Sequence, residues 1–279
     1  MDATSLKEQL LIIHSTNLSV DAIEQPYELA LHMMEHIGST DPVLRDELIY
    51  VTFATWIGQG IFSKEQLRLL LYKAMDDQHL FYGVGEQGTD SVFTRAFSVL
   101  LLPPILNADR KEPFLTNKDI EAIHYRLTTY LKSEKDVRGY VEGKGWTHTP
   151  AHASDAVEDL AQSPYLDAAA LLDLLDSLAV KIMESGTVYI HDEDQRIAYA
   201  VVTILRRNQL NRHDIASWVD LLGQAADQTQ ERTYVVNSLM RMNVRVFLQT
   251  LYLAIRREEM DPFPTVRELV LNVLEKSEH

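Results

Sequence analysis

The sequence predicts an all-α protein, an α-α superhelix of HEAT- or armadillo-like helical hairpins. Three observations carry that expectation. Apolar residues recur three and four apart through nearly every segment, and alternating strand patterns bounded by glycine turns are almost absent. Helix start signals also recur: Asp41, Thr89, Thr149, Asp192 and Thr233 stand 48, 60, 43 and 41 residues apart, close to the period of helical-hairpin repeats.

A single helical-repeat domain over 1–279 is expected, with N-terminal capping helices in 1–40, central helix pairs in 41–228 and C-terminal capping helices in 229–279. Asp41-Pro42 opens the first pair, because the Asp carboxylate can cap free N–H groups and proline lacks the one that would go unpaired. A helix over 42–58 then buries Leu44, Leu48, Ile49, Val51, Phe53 and Trp56, and Gly58 and Gly60 end it. Ser63-Lys64-Glu65-Gln66 has capping-box spacing and starts a helix over 64–76 that buries Leu67, Leu70 and Leu71. The same grammar returns as first helices over 90–106, 149–161, 193–208 and 232–257, and second helices over 117–132, 167–184, 212–226 and 264–276. An arginine sits early in several first helices, at Arg45, Arg95 and Arg196. Three segments, 77–89, 133–148 and 185–192, interrupt the array and are expected to gather on one face. Loops this long in a folded chain are commonly functional.

Composition narrows the function. The 279 residues contain no Cys, which excludes disulfides, thiolate zinc sites and a Cys nucleophile. Lys and Arg number 26 against 41 Asp and Glu, a net charge of -15, so neither a nucleic-acid backbone nor an anionic membrane surface is an expected partner. The N-terminus lacks a basic segment before an apolar stretch, and no run approaches the roughly 18 apolar residues of a spanning helix. A cytoplasmic protein is expected.

The densest chemistry lies in Gly145-Trp146-Thr147-His148-Thr149-Pro150-Ala151-His152-Ala153-Ser154-Asp155. If Thr147 caps the helix, His148 and His152 fall one turn apart with Asp155 on the same face, a set able to hold a divalent metal ion. If Thr149 caps it, with Pro150 at the first helical position, His148 leaves the helix and that geometry weakens. A third reading has the two histidines tying the loop to helix ends while Trp146 anchors it. Asp136, Arg138, Tyr140, Glu142 and Lys144 surround this run, and Gly139, Gly143 and Gly145 let the backbone turn to aim them. Arg95, Glu193 and Arg196 complete the candidate ligand-binding set. The pairs His191-Asp192 and His213-Asp214 echo metal phosphohydrolases, but in a chain with 10 His they read as coincidence. No nucleophile elbow, phosphate-binding loop, dinucleotide fingerprint or zinc-protease helix is present.

The segments 38–50, 89–98 and 136–148, with Ala151-His152-Ala153-Ser154-Asp155 and Glu193-Asp194-Gln195-Arg196, resemble the bacterial family catalogued as domain of unknown function 2785. The likeness covers most of 38–210, and Gly-Trp-x-His-x-x-Ala-His-x-x-Asp is its most specific part; Pro150 departs from the family pattern where a small helix former is usual. The resemblance implies a Gram-positive cytosolic protein and carries no established activity.

Two functions follow as expectations. The first is a non-enzymatic binding or scaffold protein that takes a protein, peptide or small ligand in a concave groove through Arg95, Asp136, Arg138, Glu142, Trp146, His148, His152, Asp155, Glu193 and Arg196. The second is a metal-dependent hydrolase in which His148, His152 and Asp155 hold the ion, Glu142 or Glu193 is the general base, and Arg95 or Arg138 steadies an anionic substrate.

Overall fold

The computed structural model describes residues 1–21, 23–184, 186–227 and 234–276. The chain is all-α apart from one short hairpin. In order come α1 (Ala3–Ser15), α2 (Pro26–Glu35), a π-helical segment Val43–Tyr50 that runs into α3 (Val51–Gly58), α4 (Lys64–Ala74), α5 (Ser91–Val99), α6 (Leu102–Lys111) and α7 (Asn117–Ser133). Strands β1 (Tyr140–Val141) and β2 (Gly145–Trp146) then pair antiparallel, Tyr140 opposite Trp146. After them come α8 (Thr149–Ala161), α9 (Ala168–Ile182), α10 (Glu193–Arg206), α11 (Arg212–Asp227), α12 (Tyr234–Ile255) and α13 (Phe263–Lys276).

The start signals act as their chemistry dictates. Asp41 Oδ1 accepts the N–H groups of Val43 at 3.0 Å and Leu44 at 3.3 Å, and Ser63 and Gln66 form a reciprocal capping box. The helix expected over 90–106 is divided: α5 stops at Val99 and α6 begins at Leu102, where Pro103 and Pro104 fill the first turn, the part of a helix in which a missing N–H is harmless. Val51, expected in the core, is 37% exposed, whereas Leu44, Leu48, Ile49, Phe53 and Trp56 are buried. Thr233 and the expected helix start at 232 lie outside the described residues, as does Ser185 of the third loop.

The chain divides into two compact units. The first is Met1–Asp119 with Ser133–His152, the second Ile120–Lys132 with Ala153–His279, so the divisions fall inside α7 and α8. In the first unit α1 packs on the π-helical segment, and α6 packs on α3 and α4, around Leu6, Leu10, Phe53, Trp56, Leu70 and Phe93. In the second, α12 packs against α9, α10, α11 and α13 around Leu174, Val201, Trp218, Phe247 and Leu251. Burial of such side chains contributes about 1.5–3 kcal/mol each and is the main term holding either unit together.

One stretch departs from the expectation that no run nears a membrane-spanning helix. Ser91–Lys111, covering α5 and α6, is long and apolar enough to cross a membrane, yet about two thirds of its most apolar part is buried inside the protein. Its apolar face belongs to the core that seats the candidate site.

Candidate functional site

The site grows from a buried arginine. Arg45 has no exposed surface, and its guanidinium lies over the rings of Phe93 (4.2 Å) and Phe97 (4.7 Å). Its Nη2 donates to the carbonyls of Lys144 at 2.7 Å and Trp146 at 3.4 Å, its Nη1 donates to Ser39, and its Nε lies 2.7 Å from Asp46 in an ion pair. Burial lowers the Arg45 pKa against the opposing charge of Asp46, and burial raises that of Asp46 against the opposing charge of Arg45. This guanidinium clamps the β1–β2 turn to the start of the π-helical segment.

Gly145 makes the clamp possible. At φ +81° it occupies the left-handed region, and a Cβ there would sit 2.8 Å from Pro42 Cβ, 2.9 Å from Arg45 Nη2 and 2.9 Å from Asp46 Oδ2. Only glycine lets the backbone approach the guanidinium so closely.

Arg95 performs the same task for the neighbouring loop. It is fully buried, pairs with Glu134 (Nη2 to Oε1 at 3.1 Å), and donates through Nη1 to the carbonyls of Tyr82 (2.9 Å) and Gly83 (3.0 Å) and to Ser91 Oγ (2.8 Å). Asp136 is likewise buried. It accepts the Gly88 N–H at 2.9 Å and the Arg138 Nε at 2.8 Å, while Arg138 Nη2 reaches the Thr89 carbonyl at 2.7 Å. The hydrogen bond from Arg138 to Asp136 raises the arginine pKa. Loops 77–89 and 133–148 are thus stitched together, and the stitching uses side chains that were expected to meet a ligand.

The helix start matches neither capping alternative for the Trp–His run, because Thr149 is already the first helical residue and His148 precedes it. α8 begins at Thr149, so Thr147 is not its cap; the Thr147 hydroxyl donates to the carbonyls of Arg138 and Gly139. The Thr149 hydroxyl donates to the Asp136 carbonyl. His148 precedes the helix at φ +48°, and its carbonyl accepts the His152 N–H at 3.0 Å. Its ring stacks on Trp146 with centroids 5.0 Å apart and meets His152 edge to face at 5.7 Å. His152 is buried, its Nδ1 bonds the Ala96 carbonyl at 3.1 Å, and its ring meets Phe97 at 5.4 Å. Tyr140 meets Trp146 edge to face at 5.2 Å. Trp146 is 37% exposed and Tyr140 54%, and Glu142 is exposed at the turn between them.

The expected metal set does not form. Among the described residues no three His, Asp or Glu side chains are grouped to hold an ion. The ligands are committed elsewhere: His152 Nδ1 to Ala96, and both Asp155 oxygens to Arg196 Nε and Nη2, each at 2.8 Å. In the second unit Arg196 therefore ties α8 to α10, and Asp194 accepts from Thr250 of α12. Glu193 is buried at the start of α10 and accepts the His191 N–H at 2.8 Å. The second unit's loop is held by Asn243, which accepts from Tyr189 N–H and donates to the carbonyls of Glu184 and Thr187.

Fold and site together define a helical protein with one aromatic hairpin anchored by Arg45. The pattern of the family described as a protein of unknown function, domain of unknown function 2785, matches residues 80–253, and the chain belongs to that family. Nothing among the curated proteins or the solved structures matches the chain.

Sequence reasoning missed the clamp role of Arg45 and the close approach at Gly145. The recurring early arginine was the available signal for the first. Nothing local marks the second, because its neighbours Pro42, Arg45 and Asp46 lie a hundred residues away in the chain.

Proposed function

We propose that the protein is a binding protein whose contact surface is the hairpin carrying Tyr140, Trp146 and His148, and that its ligand is a polypeptide segment. One observation carries this reading: a tryptophan left 37% exposed on β2, beside a turn that a buried arginine clamps and a glycine lets approach. Exposing an indole forfeits burial energy, and tryptophan and tyrosine dominate binding hot spots because they bring large area at small entropic cost. The net charge of -15 favours a cationic segment, with exposed Glu142 at the turn. The commitment of Arg95, Asp136 and Arg138 to internal bonds agrees with a scaffold role for these residues, and the unassembled His148, His152 and Asp155 set offers no support to the hydrolase reading.

The test is selection from a random peptide library on the full chain, followed by titration of the selected peptides. Basic, aromatic-containing sequences are expected, with affinity lowered about tenfold or more by Trp146→Ala, the loss typical of a hot-spot residue. Peptides that bind the Trp146→Ala,Tyr140→Ala variant as well as the parent would overturn the assignment.

A further inference from the structure

The first unit also holds a cleft of about 500 Å³, far larger than a water site and within the range of small-molecule pockets. It lies between the end of α2 with the following Ile37–Ser39 segment, the last turn of α4, the Gln78–Tyr82 turns and Thr94 of α5. Two of its walls carry uncommitted polar groups. His79 is 6% exposed, and its Nδ1 lies 2.7 Å from Asp76 Oδ1. A carboxylate only accepts, so Nδ1 carries the proton and the outer nitrogen, Nε2, is the atom left for a ligand; among the described residues it has no partner. Lys73 is half-buried in the same lining, and its ammonium has no described partner either. The one carboxylate in the lining, Glu35, is engaged by His32 at 3.1 Å and by the N-terminal amine at 3.9 Å.

We propose that this cleft binds the phosphate group of a small phosphorylated molecule, with Lys73 and His79 Nε2 as its contacts. With its Nδ1–H facing Asp76, the His79 ring leaves Nε2 to meet a ligand, and the Lys73 ammonium calls for an anion. A carboxylate at neutral pH offers only acceptors. A phosphate monoester, whose second ionisation lies near pH 6, offers O⁻ to Lys73 and either donates O–H to the neutral ring or accepts from the protonated one. The cleft volume exceeds what phosphate alone fills, and Met34, Ile37 and Tyr82 give the remainder of the molecule an apolar wall. The site shares no side chain with the Trp146 hairpin, so either reading can fail alone.

The experiment titrates the full chain with inorganic phosphate, glycerol 3-phosphate and sulfate, followed by phosphorus NMR line broadening and by the nitrogen shifts of the His79 ring. Expected is glycerol 3-phosphate binding more tightly than phosphate, and phosphate more tightly than sulfate, which has no O–H at neutral pH. Lys73→Ala, at a half-exposed helix position that leaves folding intact, weakens phosphate about tenfold, and His79→Gln does the same while Lys118→Ala changes nothing. Phosphate binding unaffected by Lys73→Ala, sulfate equal to phosphate, or an unmoved His79 ring would each overturn the proposal.

Discussion

Gly145→Ala tests the arginine clamp most directly, and Gly143→Ala is its built-in reference. Both glycines have positive φ, +73° at Gly143 and +81° at Gly145, so an alanine at either carries the left-handed penalty of about 1–2 kcal/mol. They differ in space: nothing lies within 4 Å of a Cβ at position 143, whereas at 145 three atoms lie inside 3.0 Å. None of the three yields easily. Pro42 is a closed ring at the helix start, and Arg45, with no exposed surface, is held by the carbonyls of Ser39, Lys144 and Trp146. Overpacking of this kind adds about 1–3 kcal/mol, so Gly145→Ala should destabilise by about 2–5 kcal/mol and Gly143→Ala by about 1–2 kcal/mol. Equilibrium urea unfolding followed by far-UV circular dichroism measures both, compared at equal slope. Two variants that differ by less than about 0.5 kcal/mol, the scatter of ordinary surface changes, would refute the claim that the backbone abuts the guanidinium.

Other outcomes follow from the same geometry. Arg95→Leu leaves the Glu134 carboxylate buried without its main partner and should cost about 3–5 kcal/mol, while adding Glu134→Leu recovers part of it; a single-variant loss below about 1 kcal/mol in thermal or urea melts contradicts the pairing. Burial pushes the Asp119 carboxyl up, but hydrogen bonds from Tyr72, Thr116 and Arg68 outweigh it and hold the pKa near 2, below its ordinary 3.8. A depressed carboxylate stabilises the fold above its unfolded pKa and loses that contribution as pH falls through the folded value, so the gap between wild type and Asp119→Asn, about 2 kcal/mol at neutral pH, should close between about pH 4 and pH 2; a gap that stays constant over that window sinks it. Of the three tryptophans, Trp56 is 0% and Trp218 4% exposed, so Trp146→Phe should remove most of the acrylamide-quenchable fluorescence, and unchanged quenching would place the indole inside the protein.

The helices were legible because their causes are local. Apolar spacing along 42–58 and 64–76, the Asp41 carboxylate beside Pro42 and the Ser63–Gln66 box all act within a turn or two, so residue order alone contains them. The division between α5 and α6 was less legible, since continuous apolar character masked the two prolines that mark a new first turn. The aromatic run around Trp146 was legible as well. His148 and His152 are neighbours as expected, but through a left-handed residue ahead of the helix and not through helical spacing, and the carboxylate that would have joined them binds Arg196.

Sequence by itself determined the helical class, nearly every helix and the stretch around Trp146, because propensity, capping and periodicity are interactions between near neighbours. Tertiary structure alone decided which polar side chains are free. Whether Arg95 or Arg45 faces a ligand or a carbonyl depends on what chain returns from 39 to 101 residues away, and a buried charge takes whichever partner the packing brings within 3 Å, since leaving it unpaired is far more costly than losing a surface contact.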